Sequence, residues 1–183
     1  RYAARTQHYD SEDYEMGVYD DFISPSDDIT MLTIYDYVMF DVHSFPSRLH
    51  YLDLQTRWRS SDALCYILPK TLQILTINGF THACNIPDTV ITLTVGWVHK
   101  TIPPGVRYLT ITRPDMPMDY IGKGVTHLCI RSIYAIKYLD IPVNVTHLTL
   151  DAFMDHHTQI SIPGVTHLTS IFPTRLDLRK IPN

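Results

Sequence analysis

The sequence predicts a β-rich solenoid of about eight coils, each roughly 20 residues long, with one short parallel strand per coil and irregular return segments. Three observations support this fold class. A six-residue motif recurs eight times between residues 29 and 170, and a corner containing proline precedes most copies. The phrase Val-Thr-His-Leu returns at residues 125–128, 145–148 and 165–168, a spacing of 20 residues each time.

The six-residue motif consists of an aliphatic residue, two variable residues, Leu, one variable residue and a second aliphatic residue. Positions four and six are apolar and position five is usually Thr, an alternation that predicts a strand with one buried face. Stacked coils would join the fourth positions into one buried column. The copies are ITMLTI (29–34), LHYLDL (49–54), LQILTI (72–77), VITLTV (90–95), VRYLTI (106–111), VTHLCI (125–130), VTHLTL (145–150) and VTHLTS (165–170). The column comprises Leu32, Leu52, Leu75, Leu93, Leu109, Leu128, Leu148 and Leu168.

The corners pair an apolar residue with a following proline. Proline cannot donate to a strand ladder, so it keeps each strand from starting early and fixes the turn, while the apolar residue points inward. For the return segments we expect loops, short extra strands or single helical turns, and for Asp155-His156-His157 a solvated polar turn. The corners are Phe45-Pro46, Leu68-Pro69, Ile86-Pro87, Ile102-Pro103, Ile141-Pro142 and Ile162-Pro163, with Ile121-Gly122 in one coil.

Charge divides the chain into two predicted parts. Residues 1–28 carry eight acids and two arginines, a net charge of −6, which leaves 13 basic and 11 acidic residues, a net of +2, in 29–183. We therefore expect an acidic, tyrosine-rich N-terminal arm (1–28) and a repeat solenoid (29–183). The arm would cap its own first coil or run onto a neighbouring subunit in a homo- or hetero-assembly. Its tyrosines are Tyr2, Tyr9, Tyr14 and Tyr19.

Several classes of function are disfavoured. The net charge of residues 29–183 is close to zero, which does not indicate binding to nucleic acid. No apolar run reaches the ~18 residues that predict a membrane span. The three cysteines, Cys65, Cys84 and Cys129, are far apart, which argues against a disulfide framework and favours an intracellular, reducing compartment. Nucleophile, phosphate-loop, dinucleotide and zinc-protease motifs do not occur. We therefore expect no catalytic residues, no metal and no cofactor.

The segment from Ile141 to Leu150, Ile-Pro-x-x-Val-Thr-His-Leu-Thr-Leu, resembles the FNIP repeats of social amoebae and amoeba-infecting giant DNA viruses. Residues 68–79, 86–96 and 162–169 carry the same pattern, and the likeness extends over about 29–183. It implies a leucine-rich-repeat-like solenoid without catalytic residues that acts as a protein-interaction or assembly scaffold. Two roles stay open under that resemblance: a minor structural component of a virus particle, or an adaptor that captures a host or cellular protein, as in recognition of ubiquitin-pathway substrates.

Candidate binding residues lie at the motif positions that should point away from the core. His127, His147 and His167 would stand one above another about 4.8 Å apart on the open sheet face. Such a ladder could be a metal site, a pH-sensitive contact or a passive product of duplication. Earlier coils offer an aromatic and aliphatic strip with one arginine, a composition typical of interaction surfaces. The predicted protein-binding set is Met31, Tyr51, Ile74, Arg107, Tyr108, His127, His147 and His167.

Overall fold

Nine β-strands form a single sheet in the computed structural model, which describes residues 2–4, 28–35, 45–55, 68–80, 85–97, 101–112 and 120–171. The described residues contain no α-helix, and none offers a helix long and apolar enough to cross a membrane. The strands are β1 (Tyr2–Ala4), β2 (Met31–Tyr35), β3 (Tyr51–Gln55), β4 (Ile74–Phe80), β5 (Thr92–Trp97), β6 (Tyr108–Ile111), β7 (His127–Asp140), β8 (His147–Ser161) and β9 (His167–Ser170).

The strands follow one another in chain order, and every neighbouring pair is parallel. Equivalent motif positions face each other throughout; Leu52 pairs with Leu75, for example, and Leu128 with Leu148. The predicted class, a β-rich solenoid with a coil of about twenty residues, is confirmed. The predicted number of coils is wrong, because the sheet has nine strands and not eight.

The additional strand comes from the N-terminal arm. Tyr2, Ala3 and Ala4 pair in parallel with Leu32, Thr33 and Ile34. This part of the arm therefore belongs to the sheet and covers the edge of β2. The other tyrosines predicted for assembly, Tyr9, Tyr14 and Tyr19, lie outside the described residues.

The core is built from the apolar motif positions. Six of the eight first-position residues, from Leu49 to Val145, are fully buried, and so are the fourth-position leucines from Leu52 to Leu148, to within 2% of their surface. At the C-terminal end the pattern weakens: Leu168 and Val165 are only half-buried, and Ser170 replaces the last aliphatic residue. The leucine column is thus continuous but ends at a partly open coil.

Each corner is closed by a short turn in which a carbonyl accepts the amide of the first motif residue. Pro46 O accepts from Leu49 N at 3.1 Å. The carbonyls of Pro87, Pro103 and Pro142 accept in the same way from the amide three residues later. In the last corner Ile162 takes this role, accepting from Val165 N at 3.2 Å. The predicted Ile162-Pro163 corner is therefore displaced by one residue relative to the others.

The return side is more regular in the last coils than predicted. β7 and β8 are 14 and 15 residues long, so the expectation of one short strand per coil is wrong for these two. After two shifts in register, Tyr138–Asp140 pairs with Gln159–Ser161, which makes a second ladder on the return side. Residues 155–157 lie within β8 and not in the polar turn that we expected.

Candidate functional site

The third motif positions form a continuous column on the outward face of the sheet, which we call the outer ladder. Strand pairing joins its members from β2 to β9 without a break. At about 4.8 Å per strand the ladder is about 34 Å long. Its eight members are Met31, Tyr51, Ile74, Thr92, Tyr108, His127, His147 and His167.

The first five members of the outer ladder are mostly apolar and well exposed. Met31 is 49% exposed, Ile74 39% and Tyr108 48%. Tyr51 and Thr92 between them are half-buried. Ile91, one position earlier in the motif, adds another exposed aliphatic side chain. The parallel sheet thus presents an apolar strip to its surroundings, whereas parallel sheets are usually covered on both faces.

The last four members of the outer ladder are a stack of rings. Tyr108 and His127 are tilted, with centroids 4.6 Å apart. His127 and His147 stack with centroids 4.2 Å apart and an interplanar angle of 13°, and His147 and His167 do so at 4.2 Å and 3°. The three imidazoles are therefore nearly parallel and lie closer together than the strands that carry them.

A threonine at the second motif position holds each histidine ring. Thr146 Oγ1 lies 2.9 Å from His147 Nδ1, and Thr166 Oγ1 lies 2.9 Å from His167 Nδ1. The hydroxyl of Thr146 also donates to Thr126 O at 3.3 Å, and that of Thr166 donates to Thr146 O at 3.2 Å. Thr126 Oγ1 makes the same contact with His127 Nδ1, at 3.0 Å.

This arrangement favours one tautomer of His147 and His167. A hydroxyl has one proton, and here a carbonyl, which can only accept, lies within reach of it. If the hydroxyl donates to the carbonyl, its lone pair is free to accept from Nδ1–H, and both contacts are satisfied. We therefore assign the proton of the neutral rings to Nδ1, which leaves Nε2 as a hydrogen-bond acceptor.

Stacking changes the acidity of the central ring. The two rings that sandwich His147 replace water on its faces, and the positive charge that either can carry adds repulsion. Both effects lower the pKa of His147 below its ordinary value, with the loss of solvation the larger cause, followed by His127 and then His167.

Charged groups near the histidines belong to neighbouring motif positions. Arg107 Nη1 donates to Gly124 O at 3.0 Å and to Pro104 O at 3.3 Å. Arg107, which the sequence predicted as a binding residue, is exposed at the second motif position and contacts a corner beside the outer ladder. Arg131 on β7 pairs with Asp151 on β8, with Nε and Oδ2 3.5 Å apart. Burial raises the pKa of the Cys129 thiol, which Arg131 partly opposes.

Asp53 is a buried acidic residue at a motif position that is usually threonine. It occupies motif position five, in register with Thr33 and Thr76, and is only 7% exposed. Gln55 Nε2 donates to Asp53 Oδ2 at 3.1 Å. The other carboxylate oxygen, Oδ1, has no hydrogen-bond partner among the described residues. The motif gave no indication of this residue beyond a charged side chain where threonine is the rule.

The sequence prediction overlooked the threonines that hold the histidines, although Thr precedes His in every Val-Thr-His-Leu phrase. Within the described part of the chain, no group of three His, Cys, Asp or Glu could hold a metal ion. Of the cysteines only Cys129 lies in that part, and its thiol is free. Cys65 and Cys84 lie outside it.

Comparisons with protein-family models, with curated proteins and with solved structures gave no match. The resemblance to FNIP repeats therefore stays a prediction from the corners and motifs.

Proposed function

We propose that this protein is a non-enzymatic scaffold that binds another protein through the outer ladder. The observation that carries the proposal is the run of eight in-register side chains on an open sheet face, with Met31, Ile74 and Tyr108 exposed. Exposed apolar surface of this kind is costly for a monomer in water and is common where partners dock.

The chemistry of the ladder favours a partner that is apolar toward β2–β6 and polar toward β7–β9. Tyrosine supplies a large contact area at low cost in conformational entropy, and aromatic anchors often dominate binding energy. The roles in a virus particle and as a cellular adaptor both require this kind of surface and stay predictions from the resemblance.

The test uses the full chain as bait in a lysate of the cells in which it occurs. Ile74→Glu and Tyr108→Glu place charge on the outer ladder, and Val143→Glu is the matched control because Val143 is 72% exposed at a corner and outside the ladder. We expect a protein that wild type and control retain and that both ladder variants lose. That protein is then purified, and we expect its affinity for each ladder variant to fall about tenfold or more.

A set of retained proteins that does not differ between the ladder variants and the control would contradict the proposal. Circular dichroism and urea unfolding of each variant show whether the fold is intact, because the three substituted side chains are all solvent-exposed and should tolerate charge.

A further inference from the structure

We propose that the stacked rings of His127, His147 and His167 form an oxyanion site that binds the carboxylates of an acidic peptide once the rings are protonated. The inference deepens the proposed function, since it assigns a chemical class of partner to the β7–β9 half of the outer ladder.

Protonation can occur without breaking the contacts between the threonines and the histidine rings. In the tautomer that we assign to the neutral rings of His147 and His167, the proton lies on Nδ1 and the threonine hydroxyl accepts it. A second proton must therefore add to Nε2. The threonine contacts stay in place, and Nε2 changes from an acceptor to a charged donor. The column of Nε2 atoms thus accepts hydrogen bonds at neutral pH and donates them at lower pH.

The surrounding charges leave this new positive charge uncompensated. From β6, Tyr108 stacks on His127, and Arg107 adds a positive charge beside it. On β7 and β8, Cys129 and Thr149 follow the histidines, and beyond them Arg131 and Asp151 neutralise each other. On β9, Thr169 is uncharged. Lys123 is exposed at the corner before β7. Among the residues of these strands and corners whose side chains the structure describes, no further acid occupies a motif position beside the rings.

An anion would relieve the repulsion that protonation creates. Imidazolium rings with centroids 4.2 Å apart oppose each other's charge, which contributes to the lowered pKa of His147. A carboxylate has two oxygens and can accept from two neighbouring Nε2–H groups, as it does from the fork of an arginine. Binding and protonation are therefore coupled: the anion favours the protonated rings, and protons are taken up on binding.

The ring geometry favours an oxyanion over a metal ion. A transition metal needs lone pairs that converge on one point, in a roughly tetrahedral arrangement for zinc. The rings of His147 and His167 are within 3° of parallel, so their Nε2 lone pairs lie side by side. Convergence would require the rings to rotate and to break the threonine contacts that hold them.

The experiment measures binding of a fluorescein-labelled octapeptide of alternating Asp and Glu to the full chain at constant ionic strength. Its carboxylates stay ionised at about pH 5.5, whereas an unperturbed histidine is then mostly protonated. We expect the peptide to bind about tenfold or more tightly at about pH 5.5 than at about pH 7.5. The same peptide made from Asn and Gln should show no such gain.

Replacing all three histidines by glutamine (His127→Gln, His147→Gln, His167→Gln) should abolish the gain, because glutamine stays neutral. The control His50→Gln removes an exposed histidine outside the stack and should keep it. Equal affinity at both pH values in wild type, or a gain that survives in the triple variant, would overturn the proposal.

A second measurement needs no variant. In a proton NMR titration of wild type, the lowered pKa of His147 should rise when the acidic peptide is present, and an unchanged value would overturn the proposal. The two functional hypotheses can fail separately. A flat peptide result removes the oxyanion site alone, and ladder variants that retain every protein partner remove the docking function alone.

Discussion

At the scale of single residues, the Thr-His pair explains why the repeated phrase contains both residue types. The hydroxyl links two successive coils and fixes the neighbouring imidazole, so each pair serves the fold and sets the chemistry of the face. Position in the motif was enough to predict that the rings stack. The tautomer could not be predicted, because it depends on a carbonyl 20 residues earlier in the chain.

Acid should weaken the fold through His147. Folding lowers the pKa of this residue below its ordinary value of 6.5, so the unfolded chain takes up the proton first as pH falls. The stabilising contribution is complete above about pH 6.5 and is lost as pH falls through the lower folded-state value. Urea unfolding between about pH 7.5 and pH 5 should show this loss, and His147→Gln should flatten that part of the curve.

Neighbour removal provides the check on this explanation. In the double variant His127→Gln, His167→Gln, the pKa of His147 measured by NMR should rise toward its ordinary value, because the repulsion disappears and water regains the ring faces. A value that stays as low as in wild type would show that stacking is not the cause.

Asp53 should be a site where substitution stabilises the protein. Its carboxylate is buried, and Oδ1 has no partner among the described residues, a situation that typically costs about 1–3 kcal/mol. Asp53→Thr restores the residue that other coils have at this position. We expect the free energy of unfolding, measured by urea denaturation, to increase by about 1–2 kcal/mol. Thr76→Ser is the control for a substitution at the same motif position. A less stable Asp53→Thr variant would mean that the carboxylate is satisfied in solution.

At the scale of structural elements, the corners decide how closely successive coils approach. A Cβ at Gly124 would lie 2.1 Å from Pro104 O of the preceding coil, so only glycine fits without movement. One coil later Asn144 occupies the equivalent place, and its amide donates to Val125 O at 2.6 Å and to Gly122 O at 3.3 Å. Asn144-Val145-Thr146 matches the N-glycosylation pattern, and these hydrogen bonds engage the amide nitrogen that would carry a glycan.

Gly124→Ala should therefore destabilise the protein although it removes no contact. The added methyl group must push two backbone segments apart, which typically costs about 1–3 kcal/mol. Lys123→Ala, one residue earlier and exposed, is the matched control and should change stability by less than about 0.5 kcal/mol. Thermal or urea unfolding of both variants provides the comparison, and equal stability would contradict the close approach.

The strands show which elements a sequence can predict. Motif positions one, four and six predicted the buried face well, because strand alternation is a local property. The long return strands of β7 and β8 were missed because their pairing contains two shifts in register, and a shifted ladder leaves no fixed period to detect. Strand β1 was missed because Tyr-Ala-Ala lacks the motif and gains order only by pairing with β2.

At the scale of the whole molecule, each coil pairs only with its neighbours, so unpaired backbone edges occur only at the two ends of the described sheet. The N-terminal end is covered by β1 from the arm. At the other end of the described sheet, β9 carries a half-buried leucine and an exposed serine. The two ends therefore differ both in sequence and in how completely their apolar residues are buried.

Removal of residues 1–4 should expose the edge of β2. We expect the free energy of unfolding to fall by about 1–3 kcal/mol, the value of a few backbone hydrogen bonds. An exposed edge also templates pairing between chains, so light scattering should detect larger species. Tyr2→Ala keeps the backbone of β1 and is the control. If the truncated chain is as stable and as small as the control, β1 does not protect this edge.

The position-two carbonyls have a further consequence. Each accepts two amides of the next coil, as Thr126 O does from Thr146 N and His147 N, and the same connection recurs from Thr146 to the following coil. Successive coils are thus linked by the same backbone hydrogen bonds. If a second copy of residues 125–144 were inserted after Asn144, it would make the same backbone hydrogen bonds to the coil before it and to the coil after it. Each inserted copy would lengthen the sheet by about 4.8 Å and add one histidine to the outer ladder.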